Sequence, residues 1–187
     1  MILTPSCMPL AVLPPAVWVC YRVGDPLVGG MSMWHEEQRS IVRFAHDRWG
    51  EGDLEAFLRC LADDIVYTVN VDAGEVPYAK STVGKDEMRG HLQLLLDTFV
   101  INAFVIESLV HEDEFSRTTV LGYYKHKKTG ECLDVRIRFR LWVRDGLITR
   151  LEEYHDAPYV ESFERFVRFI EQNAREATDA DSPAPTK

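Results

Sequence analysis

The sequence predicts an α+β domain in which helices lie across one face of a bent antiparallel sheet. Three observations carry this. Apolar residues recur at helical spacing in the first half of the chain, and from Ile101 the spacing changes to alternation over four successive segments. Turn signals, Lys127-Lys128-Thr129-Gly130 and Arg144-Asp145-Gly146, separate the last three of those segments.

Each element follows from local pattern. Trp34 to Trp49 sets Ile41, Val42, Phe44, Ala45 and Trp49 at helical spacing, with Glu36, Glu37, Arg39 and Arg43 outside. Gly50-Glu51-Gly52-Asp53 breaks that helix, and Asp53 is suited to cap a second one with the stripe Leu54, Phe57, Leu58 and Leu61. Ala62-Asp63-Asp64 is expected to end it, and IVYTVNV from Ile65 reads as a strand. Residues 72–83 form a loop long enough to matter functionally. Lys85 to Phe99 is a third helix burying Met88, Leu92, Leu95, Leu96 and Phe99. Residues 101–110, 115–126, 131–144 and 147–156 read as strands, and Pro158 opens a C-terminal helix through Phe163, Phe166, Val167 and Ile170.

At 187 residues the chain has the length of one domain. Its 46% hydrophobic and 27% charged residues are those of a globular protein. A formal charge of −9 speaks against nucleic-acid binding, which needs a basic field. The first residues are apolar but broken by Pro5, Pro9, Pro14 and Pro15, unsuited to spanning a bilayer and without a basic signal-peptide start. Residues 1–32 are therefore expected to be an unstructured leader, with Met31 or Met33 a candidate biological start. The domain proper is set at 33–157, the C-terminal helix at 158–176 and a disordered tail at 177–187. Cys60 and Cys132 are read as reduced thiols and the setting as cytoplasmic; no cysteine or histidine spacing suggests a metal site.

The phrases WGEGDLEAFLRCLADDIVY, VGKDEMRGHLQLLL and VRDGLITRLEEYHD, in this order, resemble the nuclear transport factor 2-like superfamily, most closely its SnoaL-like branch. The resemblance covers roughly two thirds of the chain. It implies a cone-shaped half-barrel around a deep apolar pocket, a homodimer, and no cofactor. Relatives include ketosteroid isomerase, limonene-epoxide hydrolase and polyketide cyclases, and also non-catalytic binding domains, so fold does not give function.

The last strand is the richest in candidate chemistry. Alternation puts Leu151, Glu153 and His155 on one face and Glu152, Tyr154 and Asp156 on the other. By resemblance, Glu153 falls where the epoxide hydrolases keep an acid facing the cavity. Burial there would move its pKa toward the range useful for proton transfer, with His155 as partner. The alternative is a solvated Glu153 and a His155 that closes the sheet edge. Asp156 matches the family's terminal acid and equally suits a helix cap before Pro158. Which face of 131–144 lines the pocket depends on the hairpin. A two-residue Asp-Gly turn sets Arg138 opposite Glu153; a three-residue loop with a bulge sets Ile137 there, turning the arginines outward. Arg138 and Trp142 are candidate ligand contacts in the first case, and the rarity of serially buried arginine favours the second.

The isomerases' first-strand base aspartate aligns with Val69, while Tyr67 and Asn70 stand nearby as candidate ligand contacts, and Tyr123 or Tyr124 could donate to a bound carbonyl. The hydrolases' Arg-x-Asp has no counterpart. His46 and His126 have no predictable partners, and His126-Lys127-Lys128 reads as a solvated tip. Two functions stay open: a cofactor-independent isomerase, cyclase or lyase acting on an apolar carbonyl compound through Glu153, His155 and Asp156, or a non-catalytic ligand-binding or dimerisation domain.

Overall fold

A computed structural model describes residues 33–180 of the chain. In chain order these form α1 (Met33–Gly50), α2 (Leu54–Arg59), β1 (Leu61–Val69), β2 (Thr82–Val83), α3 (Lys85–Thr98), β3 (Phe99–His111), β4 (Ser116–His126), β5 (Cys132–Arg144), β6 (Leu147–Tyr154) and α4 (Ala157–Ala180). The expected leader, 1–32, and residues 181–187 of the expected tail lie outside the described residues. α4 runs to Ala180, past the limit of 176 read from the sequence.

The six strands make one curved, unclosed sheet in the order β2-β1-β6-β5-β4-β3. All neighbours are antiparallel except β1 and β6, which run parallel with Tyr67 opposite Leu151. The strand expected from Ile65 begins earlier, at Leu61, which pairs with Ile148. Leu61 is buried strand rather than the last turn of α2, because α2 already ends at its cap, Cys60. The ladder slips before Val66, and the exposed Asp63 and Asp64 occupy the slip. Two further slips in the β3–β4 pairing bend the other end of the sheet. Asp53 caps α2 as expected, its carboxylate accepting from the Ala56 N–H at 2.9 Å.

The β5–β6 hairpin decides which side chains face inward. Its turn is the two-residue Asp145-Gly146, with φ of 52° and 72°, the left-handed pair that a type I′ turn requires. Arg144 pairs with Leu147 and Val143 with Ile148, but Trp142 pairs with Arg150, so Thr149 is an extra residue in β6. Its hydroxyl donates to the Trp142 carbonyl at 3.4 Å. The slip brings Phe139, not Arg138 or Ile137, opposite Glu153. Leu133, Val135, Ile137, Phe139 and Leu141 then face the core, and Arg136, Arg138 and Arg140 face outward. Neither hairpin read from the sequence is the observed one. The turn is the short one, and a bulge on β6 restores the inward–outward assignment of the long one.

Helices close the inner face with Val42 and Ala45 of α1, Leu58 of α2, Met88 of α3, and Val160 and Val167 of α4. Cys60 is a buried free thiol, whereas Cys132 is disulfide-bonded, which corrects its reading as reduced. His126 is also buried rather than solvated, 5.3 Å edge-on from Phe99 and hydrogen-bonded to Thr129. Among the described residues no helix is long and apolar enough to cross a membrane.

Gly122 of β4 owes its identity to a close approach. A Cβ there would meet the Tyr124 ring at 2.5 Å, so the missing side chain lets the tyrosine lie back along its own strand. Alanine is ordinarily the better residue within a strand, by roughly 0.5–1 kcal/mol. Gly122→Ala is expected instead to destabilise by about 1–3 kcal/mol, the range for overpacking, measured by the urea midpoint. A stabilised variant would refute the contact.

Candidate active site

An apolar cavity opens between the inner sheet face and the helices, with a volume of about 70 Å³. A cavity of about 150 Å³ holds a benzene molecule. An occupant of that size must therefore extend through the mouth or displace side chains. The wall is aliphatic and aromatic apart from six residues: His46, Tyr67, Tyr78, Tyr124, Glu153 and His155.

Glu153 is the centre of the polar group. β6 carries it inward by alternation, and the parallel β1 brings Tyr67 beside it. The Tyr67 hydroxyl donates to Glu153 Oε2 at 2.7 Å. His155, just beyond β6, places Nε2 2.6 Å from the other oxygen, Oε1. Burial by itself would push the Glu153 carboxyl up. The charge and hydrogen bond of His155, the Tyr67 hydrogen bond and the charge of His46 outweigh that and hold it below the usual range. Tyr67 is pushed far above the ordinary phenol value, by burial first and then by Glu153, so it stays a donor.

An ionised carboxylate only accepts, so the ring nitrogen facing it carries a hydrogen. That assigns the proton of a neutral His155 to Nε2 and leaves Nδ1 with a bare lone pair. His155 Nδ1 is buried and has no hydrogen-bond partner, in a side chain 9% exposed. Asn70 fixes the residue from behind. Its side-chain N–H donates to the His155 carbonyl at 3.0 Å, and its carbonyl accepts from the His155 N–H at 2.7 Å.

Three more residues, His46, Tyr124 and Tyr78, complete the polar part of the wall. His46 of α1 sits with Nε2 2.9 Å from the Thr118 hydroxyl and its ring edge-on to Phe139 at 5.2 Å. Burial lowers its pKa to about 4, against smaller raising effects from the Val42 carbonyl and Glu153. Tyr124 of β4 is buried, and burial raises its pKa, with the charge of Glu153 acting in the same direction. It therefore keeps its hydrogen and can donate it. Tyr78, from the loop between β1 and β2, donates to Glu164 of α4 at 2.6 Å.

The sequence candidates divide accordingly. Glu153, His155 and Tyr67 meet at the cavity. Asn70 is exposed and grips the His155 backbone instead of lining the wall. Asp156 is exposed and does not line the cavity; it precedes α4, its backbone carbonyl accepting from the Tyr159 and Val160 N–H groups and its carboxylate from the Tyr159 N–H at 3.4 Å. Tyr123, Arg138 and Trp142 project to the opposite sheet face by strand parity, and Tyr124 rather than Tyr123 lines the cavity. Trp142 there stacks 4.7 Å from the Arg150 guanidinium and 5.1 Å from Phe115. His46, Trp49 and Tyr78 line the cavity without having been candidates for it. The one local signal for His46 is its place one helical turn beyond Val42 on the apolar stripe of α1.

Comparison with known proteins agrees with this geometry. A family model described as a SnoaL-like domain matches residues 41–151, more than half of the chain. No curated protein matches by sequence. Among solved structures, an NTF2-like protein of unknown function from Burkholderia pseudomallei superposes with a TM-score of 0.61 at 14% identity, over 66% of this chain and 94% of that one. A protein provisionally named a polyketide cyclase, from Xanthomonas campestris pv. campestris, gives 0.56 at 18% identity, over 68% and 96%. One from Catenulispora acidiphila with a ketosteroid isomerase-like fold, in complex with trimethylamine, gives 0.52 at 15%, over 61% and 83%. Identities this low establish the fold alone.

The depressed His46 pKa ties stability to pH. Its folded value, about 4, lies below the ordinary 6.5, so the unfolded chain binds the extra proton and stability is lost as pH falls through that window. The loss approaches about 3 kcal/mol near pH 4. Urea midpoints at pH 7 and pH 4.5 are expected to differ less in His46→Gln than in the wild type, and an equal difference would contradict the assignment.

Proposed function

The chain belongs to the SnoaL-like domain family, and on that premise we propose that its cavity carries out cofactor-independent acid/base chemistry on a small apolar carbonyl compound, as an isomerase, cyclase or lyase. The observation that carries the reading is the buried, unpartnered Nδ1 of His155 in a cavity wall, on a ring whose other nitrogen is held by Glu153. A lone pair so placed costs desolvation energy and returns nothing within the protein itself. It is suited to take a proton from a bound molecule.

The roles follow from the hydrogen bonds. His155 Nδ1 removes a proton from the carbon next to the carbonyl, and the electron pair moves onto the carbonyl oxygen. Glu153 stabilises the resulting imidazolium and keeps the ring oriented. Tyr67 neutralises part of the carboxylate's remaining acceptor capacity. Tyr124, which burial keeps protonated in the cavity wall, directs its hydrogen to the developing enolate oxygen. The imidazolium then returns the proton at another carbon, or the enolate attacks internally or expels a neighbouring group. The proton carrier is thus His155, with Glu153 as its partner, the reverse of the order the sequence suggested. The partners assigned to the protein are this ligand and, across the outer sheet face with Arg138 and Trp142, a second copy of the chain, as the family resemblance suggests.

The test is exchange of α-hydrogens for deuterium in cyclohexanone, followed by proton NMR at neutral pD. The wild type is expected to accelerate exchange; His155→Gln should lose about 10²–10⁴-fold of that acceleration, the usual worth of a general base. Glu153→Gln should lose a comparable amount, and Tyr124→Phe about 10²-fold or more. Binding without accelerated exchange, or exchange indifferent to His155→Gln, would reject the enzyme reading in favour of a binding domain.

A further inference from the structure

Two polar residues of the cavity wall, His46 and Tyr78, are not used by the acid/base reading. Tyr78 lines the cavity together with Val71, Val76 and Ala79 of its own loop and Val160 of α4, all apolar. Its hydroxyl donates to Glu164 Oε1 at 2.6 Å, and both residues are buried, at 7% and 6% exposure.

A clasp between loop and helix does not explain this pair. The same loop is already tied to α4 by Arg168, which donates to the Glu75 carbonyl at 2.8 Å and pairs with its carboxylate. The Asp72 N–H adds a hydrogen bond to Glu161 Oε1 at 3.1 Å. Burying a carboxylate and a phenol costs desolvation that two apolar side chains would avoid. Burial indeed pushes the Glu164 carboxyl up, against the Tyr78 hydrogen bond and the charges of His126 and Arg168.

The donor pattern says what the pair can recognise. A phenol that donates to a carboxylate keeps lone pairs on its oxygen, and the charged partner strengthens them as acceptors. Tyr124 is a second buried phenol of the wall, kept protonated by burial and able to donate. Both rings pack edge-on to Phe99, at ring distances of 5.3 Å and 6.1 Å, and they interact electrostatically. The cavity thus offers a donor and an acceptor side by side in an apolar setting.

We propose that Tyr78 accepts a hydrogen bond from a substrate hydroxyl, so that the site takes an apolar hydroxy ketone rather than a simple ketone. The carbonyl end of this assignment rests on the acid/base reading above.

Isothermal titration with cyclohexanone and 3-hydroxycyclohexanone tests it. The wild type is expected to bind the hydroxy ketone about tenfold more tightly, the worth of one good hydrogen bond. In Tyr78→Phe, which keeps the ring, that ratio should fall to about one. In Glu164→Gln, which weakens the acceptor, it should fall to roughly threefold. Should Tyr78→Phe fail to fold, Glu164→Gln decides by the same ratio. A wild-type ratio near one, no binding of either probe, or a ratio still near tenfold in the variants overturns the proposal. Deuterium exchange fails separately. A preference that depends on Tyr78 without accelerated exchange keeps the hydroxyl site and sinks only the acid/base reading.

Discussion

The pairing of β5 with β6 is the constraint on which the site depends. Side chains alternate strictly along a strand, so a shift of one residue exchanges the faces. With Thr149 bulged out, the inward row of β5 is Leu133 to Leu141 and the inward row of β6 is Leu151 and Glu153. Without the bulge, Arg138 would face Glu153 and the cavity would hold a row of guanidinium groups. The outward arginines are used on their own face: Arg136 pairs with Glu107, while Arg140 lies near Tyr154 and the buried Glu152.

Given that register, the buried carboxylate of Glu153 organises the rest. A lone carboxylate in an apolar wall would be neutralised by its surroundings. Here each oxygen has its own donor, one from β1 and one from the residue after β6. The same two bonds set the state of their partners, fixing Tyr67 as a donor and His155 in one tautomer. Asn70 holds the backbone at the point where alternation ends, so His155 keeps its inward direction beyond the last strand residue.

The layout of helices and strands was legible because the hydrophobic period changes sharply near residue 100. The inward set of β6 was legible too, since Leu151, Glu153 and His155 alternate without interruption. β4 was not. It runs Thr118-Thr119, Val120-Leu121 and Tyr123-Tyr124, so its two faces carry nearly the same residue types and alternation gives no signal. Gly122 adds no preference of its own, yet it is what lets Tyr124 take its place. The bulge at Thr149 was equally hidden, because a β-branched residue suits a regular strand as well as a bulged one. Tyr78 and Glu164 are 86 residues apart, and nothing local in either segment points to the other.

That separation recurs in the site itself. Tyr67 and Glu153 are also 86 residues apart, and Asn70 and His155 are 85. Closing loops of this size costs chain entropy that early contacts do not repay, so parallel pairings between distant segments form slowly. The helices and the β3–β4–β5 meander can assemble from neighbours, whereas the polar corner needs β6 to find β1 across most of the domain. The chemistry-bearing end therefore joins segments far apart in the chain and, on a ribosome, cannot form until the final strand has emerged.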